Sequence, residues 1–169
     1  MRVLGIDCGT DSTGFGIVEQ SDGARELAYI TCGAIQHSKR DPLPKRLVHI
    51  YESLRALIVT NQPEVAAIEE VFYSVNPKSA LKLGQIRGVA MLAAASCGLP
   101  VCEYSPLEIK SAAVGYGRAD KQQVQFMVKE LLRLEQLPEP HDAADALAIA
   151  ICHLHTSATL ARQALAAHR

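Results

Sequence analysis

Short apolar runs near the start of the chain predict three consecutive β-strands. The first run covers Val3 to Ile6 and ends at Asp7, the second covers Thr13 to Val18, and the third covers Leu27 to Ile35. Glycine, serine and aspartate separate these runs, and such residues favour tight turns. We therefore expect the three strands to follow one another through short connections.

Farther along the chain, apolar residues recur at helical spacing and alternate with two more short apolar runs. This spacing places the apolar side chains on one face, which is typical of an amphipathic helix. The pattern predicts strands at Val65 to Ile68 and Val101 to Tyr104, and helices at Pro44 to Thr60, Pro77 to Ser96, Ser105 onward, Asp120 to Arg133 and Asp142 to Leu154.

The order of these elements predicts an α/β fold with one five-stranded mixed sheet and helices on both faces. A chain of 169 residues is long enough to bury a single core. We expect one domain over residues 1–157. The alanine-rich tail over residues 158–169 either extends the last helix or frays.

The composition indicates a globular protein, with a hydrophobic content of 49%. Polar residues interrupt the apolar stretches before they reach the length that crosses a bilayer. Asp7 interrupts the apolar start too early for a secretion signal. We therefore expect a cytoplasmic protein with no membrane partner. The five cysteines include no Cys-x-x-Cys pair, so free thiols are expected rather than a zinc site.

Charge is distributed unevenly along a chain whose net charge is only −1. The segment from Lys78 to Arg133 holds eight lysines and arginines against four acids, which gives +4. The remaining residues hold nine bases against fourteen acids, which gives −5. A molecule polarised in this way can bind a polyanion on one face and cations among its acids. Solvated helix faces would give the same count.

Four carboxylates stand where the fold could bring them together. Asp7 and Glu69 each follow a predicted strand, and they emerge at one sheet edge if those strands are parallel neighbours. Asp142 and Asp145 share one face at the start of the last helix. The simpler role for this second pair is to stabilise the helix macrodipole, by about 0.3 to 1 kcal/mol each.

A cluster of these four acids would require a cation. Like charges about 4 Å apart repel by roughly 4 kcal/mol per pair at an effective dielectric near 20. Hard divalent ions with oxygen ligands, Mg²⁺ or Mn²⁺, are the natural partners. Two such ions can act on the attacking and leaving oxygens of a phosphodiester, which is nuclease chemistry.

Several longer blocks of sequence surround these acids. In chain order they are Gly5-Ile6-Asp7 with Thr13-Gly14-Phe15-Gly16, Ala67-Ile68-Glu69-Glu70-Val71-Phe72, Ser79-Ala80-Leu81-Lys82-Leu83-Gly84-Gln85 with Arg87-Gly88-Val89, Lys121-Gln122-Gln123-Val124-Gln125, and Asp142-Ala143-Ala144-Asp145-Ala146-Leu147-Ala148-Ile149-Ala150. These blocks, which lie between Arg2 and His155, resemble the RuvC-type Holliday junction resolvases.

The resemblance implies a ribonuclease-H-like fold and a homodimer that nicks a four-way DNA junction symmetrically, in homologous recombination and DNA repair. Two active sites related by a two-fold axis suit paired nicks, and the helix Pro77 to Ser96 is our candidate for the dimer contact. A RuvA–RuvB-type branch-migration complex is the further partner implied. The resemblance also implies two Mg²⁺ ions per subunit, replaceable by Mn²⁺, on four catalytic acids: Asp7, Glu69, Asp142 and Asp145.

Three more residues match DNA-binding positions of that family. Phe72 looks like an aromatic wedge that stacks on bases near the crossover, and Lys110 and Lys121 look like lysines near the scissile phosphate. The basic segment supports the lysines independently, because phosphate contacts position a nucleic acid. Cys8 departs from the family, which usually has proline there, and His141 is either a proton shuttle or a surface residue.

Two other interpretations compete with a junction resolvase. The stretch from Asp7 to Ser12 resembles the first phosphate hairpin of actin-like and sugar-kinase ATPases, but the chain supplies only half of such a protein and has no later adenosine motif. The other alternative is a non-catalytic relative that binds junctions or RNA. The four acids argue against it, because a pure binder gains nothing from a repulsive cluster facing phosphate.

Overall fold

The computed structural model describes residues 1–21, 26–38, 40–70 and 77–167, with side chains as far as residue 160. Within these ranges the strands are β1 Arg2–Cys8, β2 Ser12–Glu19, β3 Ala28–Gln36, β4 Val65–Glu69 and β5 Val101–Tyr104. They form one sheet in the order β3-β2-β1-β4-β5. The first three strands pair antiparallel, whereas β1, β4 and β5 run parallel. The predicted mixed five-stranded sheet is confirmed.

Helices cover both faces of this sheet, as predicted. One apolar cluster joins α1 and α2 to one face, and a second joins α3, α4 and α5 to the other. In the described part of the chain the helices are α1 Leu43–Asn61, α2 Pro77–Ser96, α3 Pro106–Val114, α4 Lys121–Leu131 and α5 His141–Ala167.

The alternation of side chains along β4 explains why this strand is apolar throughout. Val65 and Ala67 belong to the cluster with α5, and Ala66 and Ile68 belong to the cluster with α1 and α2. A strand covered on both faces needs apolar residues at every position. The continuous run in the sequence is therefore a buried central strand, and Glu69 ends it.

α4 and α5 differ most from their predicted bounds, whereas α1 extends by one residue at each end. α4 begins one residue later because Asp120 is its N-cap, where the side chain accepts a hydrogen bond from the backbone N–H of Gln123. It ends before Arg133, whose positive φ of 53° is not helical. α5 is longer than predicted, since residues 158–167 continue it without a break. The domain boundary at residue 157 stays a prediction.

α5 lies close to the sheet because glycines stand beneath it. A Cβ atom at Gly5 would come within 2.0 Å of the carbonyl oxygen of Ala146. One at Gly14 would come within 2.0 Å of the carbonyl oxygen of Asp142. The helix backbone therefore rests directly on the strand backbone. The many alanines of the helix permit this close packing.

The segment His141–Leu160 of α5 is long and apolar enough to cross a bilayer by length and composition, which the sequence analysis did not expect. However, 61% of its apolar window is buried inside the fold. The helix contacts β1, β2 and β3 along this segment. Its apolar composition is accounted for by its place in the core.

We expect Gly5→Ala to destabilise the fold strongly, by about 3 kcal/mol or more, because the new methyl group meets helix backbone that has nowhere to move. Gly33→Ala is the matched control in the same sheet. There the added methyl group would meet only the end of the Phe15 ring, at 2.8 Å. Urea unfolding of both variants measures the difference, and equal losses of stability would contradict this account of the contact.

Candidate active site

Asp7 and Glu69 stand side by side at the carboxyl edge of the sheet. Ile6 of β1 is paired with Ile68 of β4, and the two strands run parallel. The next residue of each strand is therefore one of the two acids. The condition set by the sequence analysis, that these strands are parallel neighbours, is met.

The first turn of α5 brings the other two acids to this edge. The backbone of Asp142 lies over Gly14 of β2, which is the strand partner of Asp7. The carboxylate of Asp142 accepts a hydrogen bond from the Ser12 hydroxyl. One turn later, the carboxylate of Asp145 pairs with the Lys121 ammonium at 3.2 Å. The packing of α5 on the glycines thus fixes the backbone positions from which the side chains of Asp142 and Asp145 extend.

A cavity of about 220 Å³ opens between these elements. Three of the four predicted acids line it, together with both predicted lysines, whereas Asp142 is not part of its wall. The lining residues are Asp7, Glu69, Asp145, Lys110, Lys121, Pro106, Ile109, Val124 and Ile149. Residues far apart in the sequence therefore form one site, with acids from the sheet edge and α5 and lysines from α3 and α4.

The acids in this cavity repel one another. Burial, followed by the charges of Asp145, Glu69 and Asp142, raises the pKa of Asp7 from 3.8 to about 7. Burial and the charge of Asp145 also raise the pKa of Glu69, against the opposing effect of Lys121 and Lys110. The charge of Asp145 raises the pKa of Lys121. A strongly raised carboxyl pKa in a cleft is typical of a functional site, because it marks charge that lacks compensation.

The donor set suits a hard divalent cation, since carboxylate oxygens are its preferred ligands. In the part of the chain that the structure describes, however, no three His, Cys, Asp or Glu side chains are arranged to hold a metal ion. Asp142 is engaged by Ser12 and Asp145 by Lys121. Binding of a cation would therefore require these two carboxylates to turn from their present partners toward Asp7.

Arg87 is a residue of this site to which the sequence analysis assigned no role. Its Nε donates a hydrogen bond to the backbone oxygen of Glu69 at 3.2 Å, and its guanidinium pairs with Glu103 of β5. The side chain, only 18% exposed, thereby ties α2 to the ends of β4 and β5. Ser12 was also missed. Nothing in the local sequence indicates either contact, because the partners are distant in the chain.

Three other residues named from the sequence add nothing to the site as the structure describes it. Burial raises the pKa of the Cys8 thiol to about 12, so the thiol is neutral and poorly reactive. His141 is exposed at the first position of α5, which fits a surface residue. Phe72 lies outside the described residues.

Comparison with known proteins identifies the family of the chain. The family model described as crossover junction endodeoxyribonuclease RuvC matches residues 3–153. The chain belongs to the RuvC family. Its relatives of that description include one from Koribacter versatilis, 64% identical over 96% of this chain and 97% of the relative. One from Acidobacterium capsulatum is 54% identical over 96% of this chain and 98% of the relative.

Solved RuvC structures share the fold at full length. The structure of Thermus thermophilus RuvC has a TM-score of 0.85 and 33% identity, covering 94% of this chain and 96% of that one. The same protein in complex with a Holliday junction substrate has a TM-score of 0.87 and 34% identity, covering 93% and 94%. RuvC proteins are metal-dependent nucleases, so the interpretation as half of an actin-like ATPase is set aside.

We expect Asp7→Asn to stabilise the metal-free protein at alkaline pH. A carboxyl pKa raised from 3.8 to about 7 means that folding stability falls as pH rises through this window and stays low above it. The full penalty is at most about 4 kcal/mol. In EDTA, urea unfolding should show the variant more stable than the unmodified protein at pH 8, with a smaller difference at pH 5.

Asp41→Asn is the control for this measurement. Asp41 pairs with Lys45 outside the cavity, at 2.8 Å, and its replacement should give no gain at pH 8. An Asp7→Asn variant that is no more stable than the unmodified protein at pH 8 would refute the cost of holding a charged, buried Asp7 among the other acids.

Proposed function

We propose that this chain is a structure-specific endonuclease that resolves Holliday junctions by nicking two strands symmetrically, in homologous recombination and DNA repair. One observation carries the proposal: Asp7, Glu69 and Asp145 share a cavity with Lys110 and Lys121. Acids that can hold cations then lie beside lysines that can hold a phosphodiester. The likeness to a RuvC protein bound to a Holliday junction substrate supports the choice of DNA.

The four acids would hold two Mg²⁺ ions per subunit, with Mn²⁺ as a substitute. Asp7, Glu69, Asp142 and Asp145 together offer eight carboxylate oxygens, and bound cations would offset the burial and the repulsion that raise the pKa of Asp7. When bound, such ions supply Lewis-acid activation of water and of the scissile phosphate. The chain itself supplies the rigid sheet edge and the helix start that orient the reacting groups.

The lysines position the DNA strand to be cut. Lys121 is 76% exposed at its side chain and pairs with Asp145 at 3.2 Å. If Asp145 were to hold a cation instead, the Lys121 ammonium would be free to contact a backbone phosphate. Lys110 lines the same wall from α3. Such contacts make binding sensitive to salt. For Phe72 the proposal rests on the family resemblance alone, as a wedge against bases near the crossover.

A homodimer would form through the outward face of α2. Leu81 and Leu92 on this helix are 69% and 58% exposed. Gly84 and Gly88 lie between them, and a Cβ atom at either would meet nothing within 4 Å. Glycine inside a helix costs about 1 kcal/mol relative to alanine and is useful where another backbone approaches closely. Within the described residues nothing approaches, so we infer that a second copy does.

Two broader features complete the proposal. The enzyme works in the cytoplasm, where chromosomal DNA of its bacterial relatives is recombined. A RuvA–RuvB-type branch-migration complex moves the junction while the dimer cuts it. Both features rest on membership of the RuvC family.

The unmodified protein should cut a mobile four-way junction in Mg²⁺ and leave a linear duplex of the same sequence intact. Asp7→Asn should retain binding and lose cutting by about 10³-fold or more, because it removes a charged ligand at the reacting phosphate. Denaturing gels of end-labelled strands measure both. Absence of cleavage in Mg²⁺ or Mn²⁺, or equal rates for the two proteins, would reject the nuclease assignment to this site.

The double variant Leu81→Arg/Leu92→Arg should be monomeric in sedimentation equilibrium, because it places like charges in the α2 contact. Its two nicks in one junction should also become uncoupled. The control Phe126→Arg/Leu137→Arg changes two exposed apolar residues, on α4 and in the segment after it, and should stay dimeric. A dimer that survives the α2 variant would exclude this helix as the contact.

A further inference from the structure

The connection between α3 and α4 is folded back onto α3. Gly115 ends α3 in a left-handed conformation with φ 87°, and its N–H donates to the carbonyl of Ser111 at 2.9 Å. Two residues later, Gly117 lies so close to the side chain of Leu107 that a Cβ atom would come within 2.8 Å of Leu107 Cγ. The contact between Gly117 and Leu107 therefore fixes the position of this connection against α3.

We place the rim of the active-site cavity at that position, because neighbouring residues of the chain on both sides line the cavity although the connection itself does not. Leu107 stands between Pro106 and Lys110 in the chain, and both of these line the cavity. The connection then leads into Lys121, which lines the cavity from α4. The segment held against Leu107 therefore lies beside the wall that carries both lysines.

The side chains presented at this rim are an aromatic ring, an isobutyl group and a guanidinium. Tyr116 is 52% exposed and Leu107 is 62% exposed. The hydroxyl of Tyr116 donates to the carbonyl of Arg118 at 3.0 Å, within the same turn. This bond holds the ring in place while its surface stays open to solvent. We call Leu107, Tyr116 and Arg118 the rim platform.

Acidic residues near the rim platform are engaged elsewhere. Glu108 accepts hydrogen bonds at the N-cap of α3, and Asp120 does the same for α4. Glu103 is paired with Arg87. Among the described side chains, Arg118 forms no ion pair. The platform thus combines exposed apolar surface with the unpaired positive charge of Arg118, which is the combination that binds a nucleic-acid strand.

We propose that the rim platform binds the nucleotide next to the scissile phosphate, with the Tyr116 ring stacked on its base and Arg118 on the adjoining phosphate. The inference rests on the proposed function, since it assumes that DNA enters the cavity. It adds a contact outside the carboxylates and lysines. Stacking of a base on an aromatic ring is tolerant of sequence, so this contact holds the strand in register without choosing the site of cutting.

The test compares three variants in an Asp7→Asn background, so that junction binding is measured without cutting. Tyr116→Ala should weaken affinity for a four-way junction about tenfold, because a base loses its stacking partner. Tyr116→Phe keeps the stacking ring and loses only the bond to Arg118, so it should retain most of the affinity of the background protein. Tyr29→Ala removes another exposed tyrosine, 40% exposed on β3, and should also leave binding unchanged.

Two measurements separate a DNA contact from a structural role. Iododeoxyuridine placed beside the cut should crosslink under light to the peptide containing Tyr116. In addition, Arg118→Ala should reduce the slope of log affinity against log salt by about 1. Unchanged affinity in Tyr116→Ala, or crosslinks that avoid this peptide, would overturn the platform. Cutting by the otherwise unmodified protein tests the nuclease function separately, so either conclusion can fail alone.

Discussion

The contact of α5 with the glycines of β1 and β2 determines most of the architecture. Helix and sheet backbones touch at Gly5 and Gly14, without side chains between them. A helix separated from the sheet by ordinary side chains would stand several ångströms farther away. Its first turn could then not bring Asp142 and Asp145 toward Asp7. The active site is thus a consequence of how closely two backbones approach.

This packing also explains why a repulsive group of carboxylates persists in the folded chain. The apolar clusters on both sides of the sheet hold the strand ends and the helix start in place whatever the charges on them. The cost appears instead in the raised pKa of Asp7, to which burial contributes most and the neighbouring acids contribute further. Ser12 and Lys121 partly offset the charge of the α5 acids. The stability of the core therefore holds the four carboxylates together, although their mutual repulsion favours separation.

The sequence predicted the elements well because each depends on local periodicity. Burial of β4 on both faces made it a continuous apolar run, and Ser105 followed by Pro106 marked the start of α3. The convergence of Asp7 and Glu69 followed once parallel pairing was assumed. Contacts such as Arg87 with Glu69, or Ser12 with Asp142, depend on tertiary approach between distant segments. No local pattern encodes them, and the same holds for the present pairing of Asp145 with Lys121.

The hydrogen bond from Arg87 reaches the main-chain oxygen of Glu69 and not its carboxylate. The main-chain oxygen of Glu69 therefore supports the fold, whereas its carboxylate faces the active site. Exchange of the carboxylate for an amide leaves the brace between α2 and the end of β4 intact. A variant that lacks the Glu69 carboxylate should therefore lose activity and keep its fold. Such an inactive protein is suitable for isolating the complex with uncut DNA.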